Sequence, residues 1–172
     1  ADAVIKDVDT RLGKVFAKTE VDLDGNRDPG VRTKETNLGD LITDGILWYA
    51  TKDGKLDVPA DHVVALTNGG GIRASIKAGD ISMKDINTVL PFGNTVAVIY
   101  ISGASLLEAL EASTYSLPTS IGGFPQVSGI RYTVVTGAKY DANKETYPGS
   151  TYYGPKSIQR VTIDSINGKA FN

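Results

Sequence analysis

Apolar residues recur at Val4, Ile5, Val8 and Leu12, an amphipathic helical stripe that Gly13 ends. The period then changes. Over residues 14–23 apolar and polar positions alternate, with Val15, Ala17, Thr19, Val21 and Leu23 on one side, as in a strand with one solvated face. Thr36 or Asn37 can cap a helix running to about Ala50, whose apolar face is Leu38, Leu41, Ile42, Ile46 and Tyr49 with Trp48 on the flank. Residues 63–66 form a short apolar run that reads as a buried strand. Residues 79–82 give a turn and an N-cap for a short helix over 83–89, which stops because the residue before Pro91 is pushed out of the helical region. The run over 95–101, Thr-Val-Ala-Val-Ile-Tyr-Ile, has no polar face and predicts a strongly buried strand. A helix from about Ala104 to Thr114 turns Leu106, Leu107 and Leu110 inward. From Gly122 the pattern is β, with strands over 126–128, 130–135 and 157–166 and a long polar loop rich in tyrosine (Tyr140, Tyr147, Tyr152, Tyr153) before the last. The fold class is therefore α+β, a mixed β-sheet with helices packed against it, in one domain over 1–172 in which 1–12 is a linker or capping helix.

Composition removes several function classes. A chain of 172 residues can bury roughly 70% of its unfolded surface without a disulfide or structural metal. Its 18 basic and 20 acidic residues are well mixed, so it lacks the electrostatic footprint of a nucleic-acid binder. No apolar run reaches the roughly 18 residues of a membrane span. The amino terminus lacks a signal-peptide layout, which suits a mature exported chain or an excised domain equally. With no cysteine and a single histidine, His62, thiolate chemistry and histidine-rich metal clusters are excluded. His62 has Asp61 and Asp57 near it but no nucleophile elbow anywhere, and reads as a surface or edge histidine.

Candidate chemistry centres on residues 66–73, where a buried strand leaves through Asn68, Gly69, Gly70 and Gly71 to Arg73. Consecutive glycines let a ligand approach the main chain, and arginine offers a planar fork of donors; a bare glycine turn can equally be a tight connection. Arg27, Arg32 and Lys34 crowd a polar loop and read by themselves as a solvated surface. Phe92, between Pro91 and Gly93, is either a core plug or a stacking platform. Residues 22–26 imitate a calcium loop, but Gly25 falls at the fourth place and Thr33 at the twelfth, so the turn reading prevails. Residues 149–156 imitate a phosphate-binding loop, but Pro155 splits the required Gly-Lys pair.

Five stretches in this order resemble the C-terminal domain of the 5′-nucleotidase family, which includes the UDP-sugar hydrolases: Glu-Thr-Asn-Leu-Gly-Asp-Leu-Ile-Thr-Asp at 35–44, Asn-Gly-Gly-Gly-Ile-Arg at 68–73, Gly-Asp-Ile at 79–81, Leu-Pro-Phe-Gly-Asn at 90–94 and Phe-Pro-Gln-Val-Ser-Gly-Ile-Arg at 124–131. The resemblance implies a substrate-binding half. The catalytic residues and two divalent metal ions would belong to a separate N-terminal metallophosphatase domain of the same polypeptide, and this chain would hold no catalytic or metal-ligating residue. Carried over by position, Asn68, Gly70 and Arg73 would contact the nucleoside, Phe92 would stack on its base, and Arg32 would be a further contact. Arg27, Lys34, Gly69 and Gly71 are weaker candidates, Lys34 because the family has arginine there.

The family continues past 161–169 into one more strand with a second stacking phenylalanine and an acid, and this sequence stops at Asn172. The resemblance thus implies half an aromatic sandwich and an open sheet edge for a strand-completing segment or second chain. An extracellular, cell-surface or periplasmic location also follows from it. The alternatives are a stand-alone nucleoside- or protein-binding module, and a cyclic-nucleotide phosphodiesterase, 3′-nucleotidase or UDP-sugar hydrolase on the same scaffold.

Overall fold

A computed structural model describes residues 7, 8, 10–53 and 55–171. In chain order the elements are β1 (Val15–Thr19), α1 (Asn37–Thr51), β2 (Ala65–Asn68), β3 (Gly79–Ser82), α2 (Met83–Val89), α3 (Gly103–Ser113), β4 (Pro125–Ser128), β5 (Ile130–Val134), β6 (Asp141–Thr146), β7 (Tyr153–Ser157), β8 (Val161–Ile166) and β9 (Lys169–Ala170). The α+β class holds. Among the described residues the strands pair antiparallel in four short ladders, β1 with β3, β2 with β4, β5 with β8 and β9, and β6 with β7, in place of one continuous mixed sheet.

The helices start where their capping residues dictate. Thr36 accepts at its side chain from Gly39 N to open α1, and Ser82 forms a reciprocal capping box with Asp85 to open α2. Ser102 accepts from Ser105 N at the start of α3. One apolar cluster, built on Leu23, Val31, Leu38, Ile72, Ile76, Ile81 and Val89, lies under β3, α1 and α2. A second packs Leu106 and Leu110 of α3 on Val161 and Ile163 of β8.

Several expectations need correction. Residues 79–82 form a strand that pairs with β1, although Ser82 is still the N-cap. The alternating strand stops at Thr19, and beyond it Leu23 forms an isolated bridge to Ile76. On α1, Leu41, Trp48 and Tyr49 face solvent, with the Lys52 ammonium over both rings, because the neighbours cover a narrower stripe than the periodicity suggested. Residues 140–157 are a hairpin rather than a loop. The largest departure is at 95–101, which belongs to none of the ladders among the described residues, with Ile99 73% exposed. Apolar β-branched composition favours a strand only where an edge is present to pair with it. This run instead walls a groove with Leu66, Leu106 and Phe171. Val4 and Ile5 lie outside the described residues, while residues 7, 8 and 10–12 are helical.

Candidate functional site

β2 delivers the chain to Asn68, and the three glycines after it make a single 3-10 turn. That turn is fastened to the segment entering β4. Gly69 N donates to Phe124 O at 2.7 Å, Gly70 N to Gly122 O at 2.9 Å, and Asn68 Nδ2 to the same Gly122 oxygen at 3.3 Å. On its other side Gly69 touches the loop that carries Arg32, so closely that a Cβ would stand 1.7 Å from Val31 O. Gly69 is therefore glycine for a steric reason. Gly69→Ala forces the two loops apart, and a loss of about 2 kcal/mol in urea unfolding is expected; a change under about 0.5 kcal/mol, typical of neutral surface sites, would contradict this contact.

The Arg32 loop is itself a turn, with Thr33 N and Lys34 N both donating to Gly30 O. Gln126, fully buried on β4, holds it: Nε2 donates to Val31 O at 3.1 Å and to Lys34 O at 2.8 Å, and Oε1 accepts from Thr36 N at 3.2 Å. Gly39 has to be glycine to admit this amide, since a Cβ there would meet Gln126 Oε1 at 2.0 Å. Two of the sequence motifs thus meet in one hydrogen-bonded joint beneath Arg32.

Arg73 is anchored by its own backbone, N to Val89 O at 2.9 Å, and its Nη1 donates to Gly70 O at 3.1 Å. Its guanidinium lies over the Phe92 ring, 5.8 Å from the centroid. Phe92 is 60% exposed, so of its two earlier readings the core plug is excluded. The Arg32 guanidinium is held below its ordinary pKa, first by burial and then by the positive charges of Arg27 and Arg73. Among the described residues none of these three arginines is in an ion pair, which makes the site suited to an anion.

Arg32, Asn68 and Gly70 line one cleft, of about 920 Å³, and Arg73 with Phe92 adjoins it through the Gly70 carbonyl. Arg27 reaches the cluster through its charge on Arg32. Lys34 enters through its backbone, as the acceptor for Gln126, and Gly71 carries only an ordinary contact to Asn68. The far wall, Ser105 and Glu108 of α3 with Tyr147 and Tyr152 of the β6–β7 tip, was not singled out from sequence. Its one signal was the density of tyrosines. Among the described residues no group of three or more His, Cys, Asp or Glu side chains is placed to hold a metal ion, and no helix is long and apolar enough to cross a membrane.

The family described as 5′-nucleotidase, C-terminal domain matches residues 15–169. The trifunctional nucleotide phosphoesterase protein YfkN of Bacillus subtilis is 46% identical over 150 residues, 87% of this chain and 9% of its own length. A cell wall protein of Listeria monocytogenes, Lmo0130, is 34% identical over 145 residues, 76% of this chain and 18% of its own. The crystal structure of the 5′-nucleotidase precursor from Thermus thermophilus superposes with a TM-score of 0.68 at 36% identity, over 94% of this chain and 31% of that one. The chain thus spans less than a third of each of these proteins. Matched over nearly its whole length and built on the same fold, it belongs to the 5′-nucleotidase family, as the C-terminal domain of its members.

Proposed function

We propose that this chain, as one domain, is the nucleotide-recognition half of a 5′-nucleotidase-type phosphohydrolase, in which Phe92 stacks on the base, Asn68, Gly70 and Arg73 bind the sugar, and Arg32 with Arg27 attracts the phosphate. The observation that carries this reading is the exposed Phe92 ring under the Arg73 guanidinium, which is itself hydrogen-bonded to the glycine turn that lines one cleft with Arg32. Two divalent metals would belong to a metallophosphatase domain preceding this one in the polypeptide, and would there supply activated water for hydrolysis. This chain contributes binding and orientation, which is where proximity effects on rate arise. The run at 95–101, outside every ladder among the described residues, supports a strand-completing segment as a further partner, and the cell wall relative supports a location outside the cytoplasm.

Calorimetric titration with adenosine and AMP tests the reading. Phe92→Ala should weaken both ligands about tenfold, the value of one lost base–aromatic stack of about 1.4 kcal/mol. Arg32→Ala should weaken AMP and leave adenosine unchanged. Equal binding of AMP by wild type and both variants would remove the proposal, and retention of the scaffold without nucleotide binding would leave the stand-alone module.

A further inference from the structure

An aromatic platform binds a flat ligand well only when the platform is held still, because ordering a loose side chain at the moment of binding subtracts from affinity. The core gives Phe92 no such support. Its ring is 60% exposed, and among the described residues it belongs to none of the three apolar clusters and pairs with no other ring. Its chain neighbours stiffen the backbone instead, with Pro91 on one side and on the other Gly93, which takes a φ of 62°. A stiff turn places the Cα of Phe92 but leaves the ring free to turn about its own side-chain bonds.

Arg73 reaches both the ring and the glycine turn from a fixed base. Its backbone N–H donates to Val89 O at 2.9 Å, and Val89 is the buried last residue of α2, three positions before Phe92. Ile72, next to it in the chain, is buried in the same apolar cluster as Val89, so the main chain at 73 is anchored on both sides. From there Nη1 donates to Gly70 O at 3.1 Å, and Gly70 is itself fastened through its N–H to Gly122 O at 2.9 Å. The guanidinium carbon lies 5.8 Å from the Phe92 centroid, inside the roughly 6 Å within which a ring face attracts a cation. Among the described residues no carboxylate forms an ion pair with Arg73, so none competes with the ring for its charge. A ring has two faces, and a cation on one leaves the other for a base.

We propose that Arg73 is the positioning residue of the base platform: its guanidinium holds one face of the Phe92 ring, fixes the ring relative to the glycine turn, and so sets where the opposite face meets a base. The proposal rests on the reading that Phe92 stacks on the base. It gives Arg73 a task separate from the sugar contact, for which the N–H groups other than the one on Gly70 O remain.

Free adenine separates the two tasks, since it has a face to stack but neither sugar nor phosphate. It is titrated into this chain and into the Arg73→Ala, Arg73→Lys, Phe92→Ala and doubly substituted Arg73→Ala, Phe92→Ala proteins, with binding followed by NMR chemical-shift changes. Arg73→Ala should weaken adenine about three- to fivefold, the scale of one exposed cation–π contact. Once Phe92 is alanine, the same substitution should change the affinity by less than about 1.5-fold, because the two residues act through one ring. A general loosening of the glycine turn would weaken binding equally in both backgrounds. Arg73→Lys keeps a cation over the ring and should stay within about twofold of the wild type. Adenine affinity unmoved by Arg73→Ala while Phe92→Ala lowers it overturns the positioning role and leaves the stacking role standing. A loss with adenosine but not with adenine assigns Arg73 to the sugar alone and overturns the proposal as well, as does a loss with adenine that persists in full when Phe92 is alanine. Adenine binding indifferent to Phe92→Ala, or absent from the wild type, removes the stacking reading and the positioning role with it.

Discussion

Glu111→Ala should destabilise the protein by about 4 kcal/mol, the scale of leaving three buried N–H donors unsatisfied at roughly 1–3 kcal/mol each. Glu111 is 0% exposed on α3, and its carboxylate accepts from three successive backbone N–H groups: Gln159 at 3.2 Å, Arg160 at 3.1 Å and Val161 at 2.8 Å. The same turn returns the grip. Arg160, 2% exposed, donates from Nη1 to Thr114 O at 2.9 Å and to Tyr115 O, and from Nη2 to Leu117 O at 2.7 Å. The carbonyls at the end of α3 would otherwise be orphaned, as would the N–H groups entering β8, and each buried side chain satisfies the set on the opposite element. Truncation to alanine leaves three buried donors without a partner. Glu111→Gln keeps the shape but turns an NH₂ toward those donors, and should cost about half as much. Urea unfolding reads both, and a thermal shift of roughly 8–16 °C for the alanine variant follows from 2–4 °C per kcal/mol at this size. A loss below about 1 kcal/mol would mean that the turn is held by the apolar contacts of α3 on β8 alone. Because Glu108 is one turn before Glu111, the latch also fixes the wall of the cleft.

How far the sequence reached depended on whether a feature was local. Caps at Thr36 and Ser82 and the helix over 83–89 were legible because a few neighbouring residues decide them. The glycine run and the motif arginines were legible as a set, and the structure gathers Arg32, Asn68, Gly70, Arg73 and Phe92 around one turn. Residues 95–101 went wrong because pairing needs an edge that composition cannot supply. The β6–β7 hairpin was hidden for a related reason: Asp141–Thr146 has no apolar residue but Ala142, so its strand comes from pairing with β7 and not from a buried face. Glu111 and Arg160 gave no signal, since a charged residue in a helix or turn reads as solvated until the partner 49 positions away is in place. Gln126 was visible only as one letter of a motif. What it does depends on two carbonyls and an amide 90 to 95 positions earlier.

The second large effect is expected at that glutamine. Gln126→Ala removes three hydrogen bonds from a fully buried joint, and at about 1 kcal/mol for each the loss should be about 3 kcal/mol. Gln126→Glu is the sharper variant. It is nearly the same shape, yet a carboxylate cannot donate to Val31 O and Lys34 O, and two carbonyl oxygens would face a buried negative charge. It should therefore be at least as unstable as the alanine variant, which no packing account predicts. The consequence for binding separates positioning from mere stability. Gln126 does not line the cleft, but it fixes both flanks of Arg32, whose guanidinium lies in the wall. At a temperature where Gln126→Ala remains folded, AMP should bind about tenfold more weakly, ~1.4 kcal/mol, while adenosine binding through Phe92 changes little. A general loosening of the domain would weaken both ligands together. An unchanged AMP affinity in the folded variant would mean that Arg32 either does not meet the phosphate or holds its place without the joint beneath it.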